Sequence, residues 1–192
     1  MQKFTEYLSR FDPETATIQG GTQIERRLSQ LEGCFADQYA YTSSLEQHDP
    51  IVYSVSSLEP AHGDGDLHIG IGRIMPGRVG AEYFLTRGHL HAWREASEIY
   101  IGLSGEGMML LETESGEQRA LPLTPQALVY VPGHTAHRTV NTGSEALVYL
   151  GIYPARAGHD YASIAEDNFA QVVIASKGEP VVMKRAEFLK ML

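Results

Sequence analysis

His89-x-His91, then Glu98 and His137, bring three imidazoles and one carboxylate into a short stretch of chain. Those are the donor types that hold a divalent first-row metal such as Fe(II), Mn(II), Ni(II) or Zn(II). The spacing adds to the composition. Residues two apart on a β-strand project from the same face, so His89 and His91 point to one side. Glu98 opens the run SEIYIGLSG and His137 sits within VYVPGHTAHRTVN. The pattern predicts that the four ligands come from three successive strands and meet inside a small barrel. A metal there with open positions would bind adjacent oxygens of a substrate and polarise a carbonyl.

The elements that must position these groups are short. From about residue 50 the chain reads as IVYSVSSL, DLHIGIGRIM, EYFLTRGHLHA, SEIYIGLSG, GMMLLET, QRALPL, ALVYVP, AHRTVNTG and EALVYLGIYPA. Turn sequences separate them: HGDGD, MPGRVG, GEG, ESGE, TPQ and NTGSE. Strands at such intervals predict an all-β sandwich or barrel. AQVVIAS and PVVMK add a hairpin about Lys177-Gly178, and KRAEFLKML predicts a last short helical turn. Upstream, residues 1–21 read as an irregular arm with apolar contacts at Phe4 and Phe11. Thr22-x-x-Glu25 resembles a capping box, Ile24, Leu28 and Leu31 follow at helical spacing, and Gly33 is a stop. A helix over 22–32 is therefore expected. The chain divides into an N-terminal arm and helix, 1–49, packed on a barrel of 50–192, as a single structural unit.

Composition narrows the function. At 192 residues, 43% hydrophobic and 20% charged, the chain suits one globular domain. The formal charge of −9 argues against nucleic acid, which needs a basic footprint. It also means that an anionic substrate must be met by local cations, for which Arg73, Arg78, Arg87, Arg94 and Arg138 flank the metal-bearing runs. No apolar run is long enough to span a membrane. MQKFTEYLSRFDPET lacks the apolar core of a signal peptide, and the lone Cys34 allows no internal disulfide. A cytoplasmic protein is expected.

Around the metal quartet, Gly105 and Gly107 follow Glu98, Pro132 precedes His137 and Asn141 follows it. This resembles the two signature motifs of the cupin superfamily, with two departures. Six residues, AWREAS, separate His91 from Glu98 where most cupins have three or four, and His134 stands where the second motif has glycine. The resemblance implies a double-stranded β-helix, or jelly-roll, barrel with a short helix-bearing N-terminal extension. EYFLTRGHLHA, SEIYIGLSGEGMMLLET, VYVPGHTAHRTVNTG and YPARAGHDYASI together resemble the cupin-type, metal-dependent phosphoglucose isomerases, over roughly residues 24–175 and including RRLSQLEGCFAD and PIVYSV.

That likeness implies interconversion of glucose 6-phosphate and fructose 6-phosphate in glycolysis and gluconeogenesis, by a homodimer carrying one divalent ion per subunit. Fe2+ is favoured, with Zn2+, Mn2+ or Ni2+ as alternatives, and no nucleic acid or membrane partner. The metal ligands are His89, His91, Glu98 and His137, and the catalytic residues Glu98 and His137. Thr86, Gly88, Tyr153 and His159 match the family's phosphate pocket. Tyr100, two residues after Glu98, faces the same side and meets the sugar hydroxyls. Tyr161 lines the mouth or simply packs. AYTSSLEQHDPIVYSV is strand-like and suited to cross onto a partner's sheet. The residues leave open whether hydrogen moves between C1 and C2 as a proton, with Glu98 as base, or as a hydride. A metal-bound carboxylate near C2 favours the proton. Two other readings use the same quartet: a non-haem iron cupin dioxygenase and a non-catalytic sugar-binding cupin.

Overall fold

The computed structural model describes residues 8–164 and 168–192. The chain begins with a small ladder of β1 (Phe11–Asp12) on β2 (Thr17–Ile18). It continues through β3 (Thr22–Arg27), a 3-10 turn (Leu28–Leu31), α1 (Gln38–Gln47), β4 (Ile51–Leu58) and β5 (Leu67–Ile74). Two short strands, β6 (Arg78–Val79) and β7 (Glu82–Tyr83), precede the site segment. Then come β8 (Glu98–Ser104), β9 (Gly107–Thr113), β10 (Gln118–Leu123), β11 (Leu128–Val131), β12 (Thr135–Asn141) and β13 (Leu147–Pro154). A 3-10 turn (Ala162–Ile164), β14 (Gln171–Ser176), β15 (Glu179–Lys184) and α2 (Arg185–Phe188) complete the described residues.

All strand pairings are antiparallel. A six-stranded sheet in the order β11-β8-β13-β5-β4-β3 faces a three-stranded sheet, β10-β9-β12. A third sheet, β15-β14-β7-β6, is linked to β12 by the Leu85–Val140 bridge just beyond β7. The alternation along β8 shows how this works. Glu98, Tyr100 and Gly102 are buried, while Ile99, Ile101 and Leu103 are partly open on the other face. Tyr100 and Tyr149 of the large sheet share one apolar core with Met109, Leu111 and Val140 of the small one. A cavity lies between these sheets, above that core. Among the described residues, no helix is long and apolar enough to cross a membrane.

The N-terminal segment departs from expectation. Residues 22–32 are not a helix: Thr22–Arg27 is a strand paired to β4, with Thr22 opposite Ser57 and Ile24 opposite Val55. Only Leu28–Leu31 turns, as a 3-10 helix. The local capping pattern loses to a ladder of hydrogen bonds that a distant strand supplies, a tertiary gain that local spacing does not encode. Gly33, at φ +76°, does end the turn. The helix that exists is α1, begun by Asp37, whose Oδ1 accepts from the Ala40 N–H at 2.8 Å. Only Tyr41 of its residues is buried, so no apolar stripe announces it. AYTSSLEQHDPIVYSV is thus the greater part of α1 followed by the start of β4, and β4 is paired on both edges, by β3 and β5. Of the two apolar contacts expected in the arm, Phe4 lies outside the described residues and Phe11 is about half exposed.

Glu82, fully buried, ties the extension to the body. Its Oε1 accepts from the Ala36 and Asp37 N–H groups at 2.7 and 3.0 Å, at the start of α1.

Candidate metal centre and substrate cavity

The run EYFLTRGHLHA does not form one strand. Only Glu82–Tyr83 joins a ladder, and beyond it single bridges tie Leu85 to Val140, His89 to His137 and Leu90 to Asp160. Gly88, at φ +73°, breaks the run, in a region that side chains with a Cβ avoid. The ligands therefore do not come from three successive strands. His89 and His91 sit on this bridged segment, Glu98 begins β8 in the large sheet, and His137 lies on β12 in the small sheet. The small sheet's β12 thereby brings its imidazole opposite the carboxylate of the large one.

Ligand-capable atoms of His89, His91, Glu98 and His137 all lie within 4.8 Å of one another. His91 Nδ1 donates to the Ala96 carbonyl at 3.0 Å, and His137 Nδ1 to that of Thr135 at 3.2 Å. Each bond occupies Nδ1 and turns Nε2 inward, as metal-bound imidazoles are held. The two Nε2 atoms are both 3.2 Å from Glu98 Oε2. The His91 contact is aligned as a hydrogen bond. That of His137 is close but poorly aligned, and its Nε2, like that of His89, is buried without a hydrogen-bond partner. Orphaned, converging ring nitrogens beside a carboxylate suit a divalent cation, so the residues fit the expected metal.

The electrostatics agree. Enclosure holds the His89 imidazole well below its ordinary range, with His137, His159 and His91 adding to the effect. It is a neutral imidazole, as a metal donor must be. Burial alone would raise the Glu98 carboxyl, but the adjacent His137 and His91 imidazoles outweigh it and bring it to about 2. For His91, burial works against protonation, yet the Glu98 and Ala96 hydrogen bonds raise it. Gly151 on β13 makes room for the carboxylate, since a Cβ there would lie 2.7 Å from Glu98 Oε1.

Both departures from the cupin motifs have a visible accommodation. The longer AWREAS loop folds back through an Ala96 N–H to Trp93 carbonyl bond of 3.0 Å, which presents the Ala96 carbonyl to His91. Arg94 braces the loop, donating to the His91 carbonyl and pairing with Asp160 at 2.6 Å. His134 adopts φ +58°, the left-handed conformation that glycine would take without strain. Its Nδ1 lies 2.8 Å from Glu114 Oε2, an exposed partner that glycine would lack.

A cavity of about 350 Å3 opens above the quartet, within the range of small-ligand sites. Thr86, Gly88, Tyr100, Tyr153, His159 and Tyr161 all line it, with His89, Glu98 and His137. His91 is buried behind the wall. Thr86 Oγ1 accepts from the Thr139 N–H at 3.1 Å, leaving its own O–H to donate into the cavity. A side chain at Gly88 would meet Phe169 at 2.6 Å and Arg138 at 3.1 Å. His159 stacks parallel to Tyr161 and stands 4.4 Å from the His89 ring, centroid to centroid. Burial lowers His159, so at neutral pH it offers a neutral N–H. Tyr100 is buried beside His137, its phenol pushed well up by burial and by Glu98.

Of the flanking arginines, Arg87 reaches the cavity, its guanidinium 5.3 Å from the Tyr161 ring centroid. Arg138 is buried behind Gly88, donating to Asn168 and to the Arg87 carbonyl, and burial lowers it to about 10. Arg94 is spent on Asp160 and Glu114. Sequence reasoning missed Arg26, Ile24 and Thr22, which line the cavity from β3. Their period-two spacing was a strand signal, but the competing helical pattern hid it.

Comparison with known proteins agrees with this architecture. A solved oxalate oxidase superposes with a TM-score of 0.50 at 13% identity, over 61% of this chain and 60% of its own, which supports the cupin fold alone. The family model described as glucose-6-phosphate isomerase matches residues 25–189. The glucose-6-phosphate isomerase of Thermococcus kodakarensis is 48% identical over 172 residues, 90% of each chain. That of Pyrococcus horikoshii is 46% identical over 174 residues, 91% of this chain and 92% of its own. A relative of the same name from Sinorhizobium medicae is 43% identical over 170 residues, 88% of this chain and 79% of its own. Three imidazoles and a carboxylate converge beneath a polar cavity, and the relatives match nearly end to end; the chain belongs to the glucose-6-phosphate isomerase family.

Proposed function

We propose that this protein interconverts glucose 6-phosphate and fructose 6-phosphate with the help of one divalent metal ion held by His89, His91, Glu98 and His137. The observation that carries the reading is the convergence of those four donors at the floor of a cavity whose upper wall bears Thr86, Gly88, Tyr153 and His159. Bound there, the ion would act as a Lewis acid toward the C1 and C2 oxygens. Fe2+ is favoured. Four protein donors would satisfy a zinc ion that takes four ligands, whereas an ion that prefers six would still be able to accept substrate oxygens.

The protein's own groups supply the rest. Thr86, the Gly88 backbone, Tyr153 and His159 hold the phosphate, and Tyr100 and Tyr161 border the sugar. Glu98 carries the proton from C2 to C1 while the hydroxyl proton passes between the two oxygens, through an enediolate. His137 orients Glu98 through their close contact. The work belongs to glycolysis and gluconeogenesis in the cytoplasm, in a homodimer. A coupled assay on fructose 6-phosphate tests the reading. Turnover should vanish on treatment with a chelator and return with Fe2+ and, to differing degrees, Mn2+, Ni2+ or Zn2+. Full activity in protein that elemental analysis shows to be metal-free would overturn it. Oxygen consumption by the iron-loaded protein would point to a dioxygenase instead.

A further inference from the structure

A second group of metal-capable side chains lies outside the quartet. Glu59, His62 and His68, in and beside the β4–β5 turn, place their ligand atoms within 4.8 Å of one another. His68 starts this cluster from a fixed position. It is buried on β5, its ring edge-on to Tyr153 with centroids 5.8 Å apart. Its Nε2 is 2.9 Å from the Ala61 carbonyl. A carbonyl oxygen can only accept, so Nε2 is the donor there and Nδ1 is the ring nitrogen left to hold an ion. An imidazole donating its far N–H to a backbone carbonyl is how metal-bound histidines are oriented. His62 stands edge-on to His68 at 5.3 Å, and its side chain, like that of Glu59, is exposed and free to rotate.

The loop that carries them is braced. Asp66 accepts from the Gly63 N–H at 2.5 Å, its own N–H returns to the Gly63 carbonyl at 3.1 Å, and its carbonyl accepts from Ala155 at 2.9 Å. Two nitrogens and one carboxylate oxygen suit a borderline divalent cation, with water completing the shell. Donors of a tetrahedral ion lie roughly 3.4 Å apart for bond lengths of about 2.0–2.2 Å. A small rotation of Glu59 and His62 closes the difference.

We propose that Glu59, His62 and His68 form a second divalent-cation site, for Zn2+ or Ni2+, at the rim of the substrate cavity. Glu59 itself lines the cavity, and His68 packs against Tyr153, which also lines it. An ion there cancels a carboxylate charge at the mouth of a protein with net charge −9 and adds a positive one beside Tyr153. Anionic substrates then enter more readily. This last consequence rests on the sugar-phosphate reading; binding of the ion does not.

Zinc titration by calorimetry, with metal counted by elemental analysis after gel filtration, tests the site. Protein already loaded at the quartet should bind one further Zn2+ per chain, and His62→Ala should bind none. The double variant His89→Ala/His91→Ala should still bind one, and adding His62→Ala to it should abolish that one. Cobalt substitution gives a second readout, a visible absorption band that His62→Ala removes. A loaded wild type that takes up no second ion overturns the proposal, as does a second ion that survives His62→Ala. With the central Fe2+ retained, Zn2+ should lower the KM for fructose 6-phosphate in wild type and leave it unmoved in His62→Ala. A second ion that binds without changing KM overturns the coupling to substrate, and the isomerase reading would stand.

Discussion

Glu98 shares one oxygen between two imidazoles, at 3.2 Å from each. The carboxylate is therefore held as an anion between its neighbours, and the question is whether it also moves a proton. Glu98→Gln keeps the shape and one neutral oxygen while removing the base and a negative ligand. If Glu98 carries the carbon-bound proton, the metal-saturated variant should lose activity, and wild-type turnover in deuterated water should place deuterium at C1 or C2. Substantial turnover by metal-saturated Glu98→Gln, with no solvent label in the wild-type product, would assign a hydride shift and leave Glu98 as ligand alone. At the other end of the cavity, Thr86→Ala and His159→Ala should raise the KM for fructose 6-phosphate with metal content unchanged. Each lost hydrogen bond to phosphate costs about 1–3 kcal/mol, roughly 5- to 150-fold. Wild-type KM in both variants would move the phosphate elsewhere, with Arg87 and Arg26 the nearest cations at the wall.

The turns carry a different kind of information. His134, in the tight turn leading into β12, adopts a left-handed conformation that costs an L-residue about 1–2 kcal/mol. Its exposed pairing with Glu114 returns about 0–1 kcal/mol. His134→Gly removes both the strain and the pair, whereas His134→Ala removes only the pair. Thermal or denaturant unfolding should therefore find His134→Gly more stable than His134→Ala by about 1 kcal/mol. Equal stabilities would mean that the turn is not strained. Neither change should alter metal content, because His137 is held by its own bridge to His89.

For the whole molecule, the large sheet ends at β3 and β11, each paired on one side only. Open edges invite a partner strand. β3 is the better candidate for self-association: it is six residues long, Ile24 is 42% exposed, and its residues also line the cavity. Homodimerisation through that edge would enclose the mouth of the site. Light scattering should give twice the 21.2 kDa of one chain, and Ile24→Asp should shift the mass toward the single chain. A 21.2 kDa particle in the wild type would count against the dimer. With a charge of −9, the measured mass of such a dimer should rise with salt, because like-charged subunits repel less as screening rises.

Some of this was written in the chain itself. Apart from EYFLTRGHLHA, the strand pattern from Ile51 to Lys184 was legible because alternation and turn residues are local signals, and β4, β9 and β10 fall on the runs IVYSVSSL, GMMLLET and QRALPL that predicted them. The quartet was legible because donor chemistry resides in residue type and the motif text fixes the order of the ligands. Three things came only from the tertiary structure. β3 is a strand because β4 lies beside it, a partner that local spacing around Ile24 and Leu28 does not reveal. His89 meets His137 through one isolated bridge between distant segments, not by strand succession. Finally, Arg26 joins the cavity while Arg94 and Arg138 are spent on internal partners. Charge is the same for all three, and Arg94 and Arg138 are far nearer the quartet in sequence than Arg26; only packing decides which guanidinium faces the cavity.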